Sequence, residues 1–183
     1  MTTPVRVSLD DFLAMEETKP YLELVDGEVI PKAMPNADHS AIVFELNRRL
    51  GNYLIESREG RGDTELRNIE RGEERVYLPD VSVTRKGRFP KDAHRGPVEV
   101  HPDLAIEVLS PDDRASRVAE KIDFYLRSGV SLVWVVDPEL RTLTEYRPDS
   151  APRTFRSGAS VSAQPVLSAF TLDVAALFSV LDD

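Results

Sequence analysis

The chain contains no cysteine. That absence excludes disulfides, thiolate zinc sites and a cysteine nucleophile, and it agrees with a cytoplasmic protein. There is no apolar run long enough to span a bilayer, so no membrane partner is expected. Met1 to Arg6 lack the apolar stretch of a signal peptide. Nor is there a basic excess: the net charge is −9. That argues against a large, unselective nucleic-acid surface, because phosphate binding rests on Lys and Arg, but does not exclude a small basic cleft. Basic residues cluster at Arg85-Lys86-Gly87-Arg88 with Lys91, and again at Arg58, Arg61, Arg67 and Arg71; solvated loops are the plainer reading of both. Internal repeats, low-complexity tracts and interdomain linkers are also missing. What is present, 41% hydrophobic and 30% charged residues in a chain of 183, is the composition of an ordinary globular protein. One domain over residues 1–183 is expected.

Periodicity and punctuation outline an α/β chain. Ser8 is placed to cap a first helix, with Leu9, Phe12, Leu13 and Met15 on its apolar side. In Tyr21 to Ile30, Asp26-Gly27 between apolar runs signals a hairpin. Pro31 to Ala37 reads as a loop. Asp38 can cap a long helix over about 39–57, with Ile42, Val43, Leu46, Leu50, Tyr53 and Leu54 inward. Gly60 and Gly62 read as a break. A strand near 64–69 is expected to pair with a strand over 76–83. Residues 85–101 read as a long loop. Asp103 to Leu109 is a strand apolar on both faces, hence buried. Ser110-Pro111-Asp112-Asp113 starts a helix that runs to about Arg127 and ends at Ser128-Gly129. Ser131 to Asp137 is a buried strand, and Leu143 to Tyr146 pairs back on it. The run 103–136 has the length of a βαβ crossover with parallel strands. Val174 to Leu181 reads as a terminal helix.

Asp80 and Glu107 stand out because both fall in apolar, strand-like segments. A carboxylate buried there costs several kcal/mol, roughly, unless its charge is compensated. Lys121 lies in the helix after the Glu107 strand, on the edge of a stripe made by Ala115, Val118, Ile122, Tyr125 and Leu126. A divalent cation between the acids, with the lysine beside it, suits phosphodiester hydrolysis; oxygen ligands favour Mg²⁺ or Mn²⁺ over zinc. A buried Glu107–Lys121 ion pair with a structural Asp80 accounts for the same residue types, and predicts direct Glu107–Lys121 contact and no cleft. A glycosidase pair is disfavoured, since the lysine would hold both acids ionised.

Tyr21-Leu22-Glu23-Leu24-Val25-Asp26-Gly27-Glu28-Val29, Asp38-His39-Ser40 and Leu78-Pro79-Asp80-Val81-Ser82-Val83 belong to a further pattern. With them go Pro102-Asp103-Leu104-Ala105-Ile106-Glu107-Val108-Leu109-Ser110-Pro111, Lys121, and Gly129 to Pro138. Together, over roughly residues 8–150, they resemble the Uma-two family of endonucleases in the PD-(D/E)XK restriction-endonuclease-like superfamily. The block from Pro102 to Pro138 is the most specific part. The resemblance implies a central mixed β-sheet flanked by helices and a metal-dependent nuclease site. Pro79-Asp80 would be the "PD", Glu107 the second acid, and Glu23 a further acid on the metal. Two residues after Glu107 stands Leu109 where the superfamily has Lys, which implies that Lys121 has taken over from the helix. His39 and Ser110 are further candidates, Ser110 more simply as a turn residue. Trp134 reads as core, and Arg114 and Arg117 as solvated helix charges. The reading is a Mg²⁺- or Mn²⁺-dependent endonuclease acting on nucleic acid, DNA before RNA, as a homodimer. Its rival is a non-catalytic nuclease-like module that binds nucleic acid or a protein partner.

Overall fold

The computed structural model describes residues 6–91, 93 and 96–182. Residues 1–5, part of the segment read for a signal peptide, and residues 92, 94 and 95 of the 85–101 loop lie outside the described residues. Ser8 caps α1 (Leu9–Leu13) by accepting the Asp11 N–H, with Leu9 and Phe12 buried; Met15, expected on the apolar side, is exposed. Strands β1 (Leu22–Val25) and β2 (Glu28–Pro31) form the hairpin expected at Asp26-Gly27. Both turn residues have positive φ, which suits a tight hairpin. Helix α2 (Ala37–Ser57) starts two residues earlier than expected. Asn36, rather than Asp38, is its cap, accepting the His39 N–H at 2.8 Å.

The stretch read as one strand over 76–83 is two. β5 (Arg75–Tyr77) joins a four-stranded sheet of order β2-β1-β5-β4, with β4 at Asn68–Glu70. β6 (Val81–Arg85) belongs to a six-stranded sheet. Pro79 has no N–H to give to a ladder, and the chain crosses from one sheet to the other at Leu78-Pro79-Asp80. Asp80 therefore sits in the gap between sheets and not on a strand face with Leu78 and Ser82. The expected pairing of 64–69 with 76–83 holds for its first part, where β4 pairs antiparallel with β5, Asn68 with Tyr77 and Ile69 with Val76, but β6 has another partner. Gly60 and Gly62 do not break the chain; they lie in β3 (Gly60–Thr64), which pairs antiparallel with β6.

The larger sheet has the order β10-β9-β8-β7-β6-β3. β7 (Leu104–Val108) and β8 (Leu132–Asp137) are parallel, joined by α3 (Ala115–Arg127) as the βαβ length predicts. β9 (Thr142–Tyr146) and β10 (Arg153–Phe155) complete its far side antiparallel. Pro111 to Asp113 form a turn and α3 begins only at Ala115. Ala115 is exposed, whereas Phe124 is buried with Ile122 and Tyr125. The loosely read end of the chain holds β11 (Ser160–Ser162) paired with β12 (Thr171–Asp173), then α4 (Val174–Phe178) and a 3-10 turn to Leu181.

Side-chain alternation assigns the two faces of the large sheet. Leu104, Ile106 and Val108 of β7 pack with α2, Trp134 and the C-terminal elements. Ala105 packs on the opposite face with Ile122, Phe124 and Tyr125 of α3. Glu107 shares the parity of Ala105 and so points at α3. The result is a central mixed sheet flanked by helices. Among the described residues no helix is long and apolar enough to cross a membrane.

Candidate functional site

At the crossing between the sheets, Asp80 gathers three pieces of chain. Its Oδ2 accepts the N–H of Val108 at 2.7 Å and lies 3.4 Å from His39 Nε2, at the start of α2. Its Oδ1 accepts from Lys32 Nζ at 2.7 Å. Lys32 follows β2; its ammonium also donates to the Leu78 carbonyl at 2.9 Å and lies 3.5 Å from Glu65. Burial pushes Asp80 towards protonation, but the ammonium of Lys32 and the imidazole of His39 outweigh it and hold the carboxyl well below the usual carboxylate range. Lys32 is raised in turn: burial lowers it, and Asp80 and Glu107 more than reverse that.

Glu107, on the adjoining strand, meets α3. Lys121 Nζ lies 3.2 Å from its Oε2 and 2.9 Å from Glu23 Oε1 on β1. The Tyr125 hydroxyl, one turn after Lys121, donates to Glu107 Oε1. Glu23 Oε1 accepts the Leu78 N–H at 3.0 Å, which ties the small sheet to the crossing. Burial pushes Glu107 up to about 7, against the pull of Lys121, and the Asp80 charge adds to the rise. For Lys121, burial works against the charge, but Glu107 and Glu23 prevail, so its pKa is raised and it is an ammonium at neutral pH. Burial and the neighbouring acids likewise push Tyr125 well above the ordinary phenol value, leaving it a donor.

These groups lie along one cleft of about 460 Å³, whose lining includes Glu23, Lys32, His39, Asp80, Glu107 and Lys121. Ser110 reaches the same cleft, but its N–H is engaged by Asp113 in the turn before α3. Arg117 lines the rim and pairs with Glu120 at 3.0 Å. Trp134 is fully buried in the core. The structure thus brings together all six residues singled out by sequence. The ion-pair alternative holds in one part and fails in the other: Glu107 and Lys121 touch, as it predicts, but a cleft lies beside them. Lys32 and Tyr125 were missed. Lys32 stood in a loop with no periodic pattern, and Tyr125 read as part of the apolar stripe. The one signal for Tyr125 was its spacing of four from Lys121 on a helix facing Glu107.

The donor set bears on whether a divalent cation could sit here. It consists of carboxylate oxygens, which suit a hard ion. Three carboxylates, Glu23, Asp80 and Glu107, face two ammoniums, Lys32 and Lys121, so negative charge is in excess when Glu107 is ionised. Among the described residues the buried His39 Nδ1 has no hydrogen-bond partner. Among the described residues no three acid or histidine side chains already converge as a cage; the ammoniums take the facing oxygens. In donor type the carboxylates of Asp80, Glu107 and Glu23 suit a hard ion such as Mg²⁺ or Mn²⁺, and they could hold one where the lysine ammoniums give way.

Two parallel central strands with an antiparallel border, and acids gathered at the strand ends, make this a mixed α/β protein with an acidic cleft between its sheets. The same architecture occurs in a crystal structure described as "a putative nuclease belonging to DUF820" from Anabaena variabilis ATCC 29413. It superposes with a TM-score of 0.87 at 32% sequence identity, over 96% of this chain and 99% of that one. Residues 9–175 match the Uma2 family, described as "Putative restriction endonuclease". The chain belongs to that family. No curated protein matches it.

Proposed function

We propose that the protein is a metal-dependent endonuclease that hydrolyses phosphodiester bonds, with DNA as substrate and the cytoplasm as its compartment. The observation that carries the reading is the meeting of Asp80, Glu107, Glu23 and two lysines along an open cleft. Family membership and the likeness to a nuclease structure support it. The absence of cysteine supports the compartment. The acting unit is a homodimer of single-domain chains, since a duplex presents two bonds to cut.

Each residue has a task that follows from its surroundings. Asp80 is held ionised by Lys32 and fixed by the Val108 N–H, so it keeps one orientation. Glu107 is oriented by the Tyr125 hydroxyl. Lys121, kept protonated, is an electrostatic group and not a general base; it would face the charge that develops on the phosphate in the transition state. Lys32 would do the same on the Asp80 side. When bound, the divalent ion supplies Lewis-acid polarisation of the phosphate and a water of lowered pKa.

Calorimetry with and without Mg²⁺ at matched ionic strength tests the metal part of the reading. A ligand that binds only the folded state raises the melting temperature by mass action. The rise should be present in the wild type and absent in Asp80→Asn, each compared with its own metal-free baseline. An equal rise in both would place the metal elsewhere.

A further inference from the structure

Strand β3 leaves one edge of the large sheet open. Among the described residues nothing pairs with its outer side. The hydrogen-bond parity shows which groups are free. Val83 O is taken by Asp103 N on the β7 side, Lys86 N donates to Glu59 O, and Glu65 N donates to Pro79 O. The odd-numbered residues of β3 thus turn their peptide groups to β6, and Gly60, Gly62 and Thr64 turn theirs outward. Gly62 is exposed.

The sequence of this edge is complementary to itself. If a second β3 pairs antiparallel about a dyad at Gly62, Gly60 faces Thr64 of the other copy in a hydrogen-bonded position. Arg61 then faces Asp63 of the other copy, and Asp63 faces its Arg61. Both fall at non-hydrogen-bonded positions, where cross-strand side chains are nearest. Within one chain Arg61 Nε already bonds Asp63 Oδ1 at 2.8 Å, so the two charges lie on the same face.

The helix above the edge has a matching surface. α2 packs over β3 and β6, and Asn47 bonds Thr64 at 3.0 Å, which fixes the flank of α2 that overhangs the edge. Phe44, Gly51 and Ile55, at spacings of seven and four, run along that flank. Phe44 is 70% exposed and Ile55 76% exposed, and a Cβ at Gly51 would meet nothing within 4 Å. The far flank is already occupied: Arg49 bonds the Ala176 carbonyl of α4 at 3.0 Å. A dyad normal to the sheet keeps both α2 helices on one side, antiparallel, with Phe44 of each towards Ile55 of the other. With each axis about one strand spacing from the dyad, the helices would be roughly 10 Å apart, an ordinary packing distance.

We propose that this edge is the surface on which a second copy of the chain docks, joining two six-stranded sheets through β3 and covering Phe44 and Ile55. The inference stands on the edge, the charge register and the apolar stripe, and is independent of the nuclease reading.

The test is molar mass by sedimentation over a concentration series, on the full chain at moderate salt. The wild type should be dimeric at micromolar concentration. Arg61→Asp and Asp63→Arg should each give a monomer, because like charges then face each other. The double variant Arg61→Asp/Asp63→Arg restores opposite charges in the same register and should regain the dimer. Ile55→Asp, on the exposed helix flank, should also give a monomer with an unchanged circular dichroism spectrum. A wild type that is monomeric at high micromolar concentration would overturn the proposal, as would a dimer indifferent to the single charge reversals. Failure of the double variant to recover would overturn the register. Cleavage assays are not involved, so the outcome does not depend on whether the cleft is catalytic.

Discussion

Asp80 accepts from Lys32 Nζ at 2.7 Å and from the Val108 N–H at 2.7 Å while almost entirely buried. Removing one partner of a buried pair leaves an uncompensated charge, a cost of about 3–5 kcal/mol. Asp80→Asn should therefore lower the melting temperature by several degrees or more, whereas Asp80→Asn/Lys32→Met should lose less than the two single losses summed. A double-mutant cycle in urea reads that coupling, and additive losses would mean that the pair is not a pair. A second residue-scale prediction concerns Tyr77. Burial, with Glu70 nearby, pushes its phenol well above the ordinary value of 10.0. Its hydroxyl bonds His101 Nδ1, and His101 Nε2 lies 2.8 Å from Glu70 Oε2. In the unfolded chain the proton leaves first. The stability carried by this group is therefore complete below pH 10 and is lost as pH rises towards the folded-state value, with a slope approaching about 1.4 kcal/mol per pH unit. Denaturant melts from pH 9 to 11 should show a steeper loss in the wild type than in Tyr77→Phe; parallel curves would contradict the assignment. At this scale the sequence made much of the site legible. Asp80 and Glu107 are acids in apolar segments, Lys121 sits on a helix edge at reach, and Glu23 came only from the family resemblance. Lys32 was hidden because a lysine in an irregular segment has no pattern that marks its direction.

Among the elements, the hairpin at Asp26-Gly27, the β7-α3-β8 crossover and the terminal helix were legible because turn chemistry, length and alternation all agreed. The division of 76–83 was not. Val76 to Val83 alternates and is apolar, so local pattern favours one strand, and only the tertiary placement shows that Pro79 marks a change of sheet. Gly60 and Gly62 misled for a related reason. Glycine weakens a strand by propensity, but a Cβ at Gly60 would come within 2.6 Å of the Thr84 carbonyl, so close backbone approach requires it. Gly60→Ala should accordingly destabilise the β3–β6 edge, seen as faster amide exchange in β3. Helix α2 offers the opposite case. It ends at Arg58, which is exposed and left-handed at φ 56°. A non-glycine residue there bears a strain of roughly 1 kcal/mol, so Arg58→Gly should raise the melting temperature by a few degrees and leave the cleft untouched. A fall in melting temperature would show that the arginine side chain stabilises the end more than its backbone costs.

At the scale of the molecule, two sheets meet where the chain crosses between them, and the meeting place is the cleft. β1 brings Glu23, the end of β2 brings Lys32, α2 brings His39, β7 brings Glu107 and α3 brings Lys121 and Tyr125. The alternation of charge, acid to lysine to acid, keeps so many buried ionisable groups compatible with folding. The activity proposed for this assembly is hydrolysis of phosphodiester bonds. The most direct measurement is incubation of the purified chain with a mixed panel of single- and double-stranded DNA and RNA, with Mg²⁺ or Mn²⁺ and with chelator. Lys121→Gln, verified as folded, is the control. Metal-dependent cleavage of DNA by the wild type, lost in Lys121→Gln and in chelator, is the expected result. No cleavage of any substrate with either metal, or equal cleavage by wild type and variant, would contradict it.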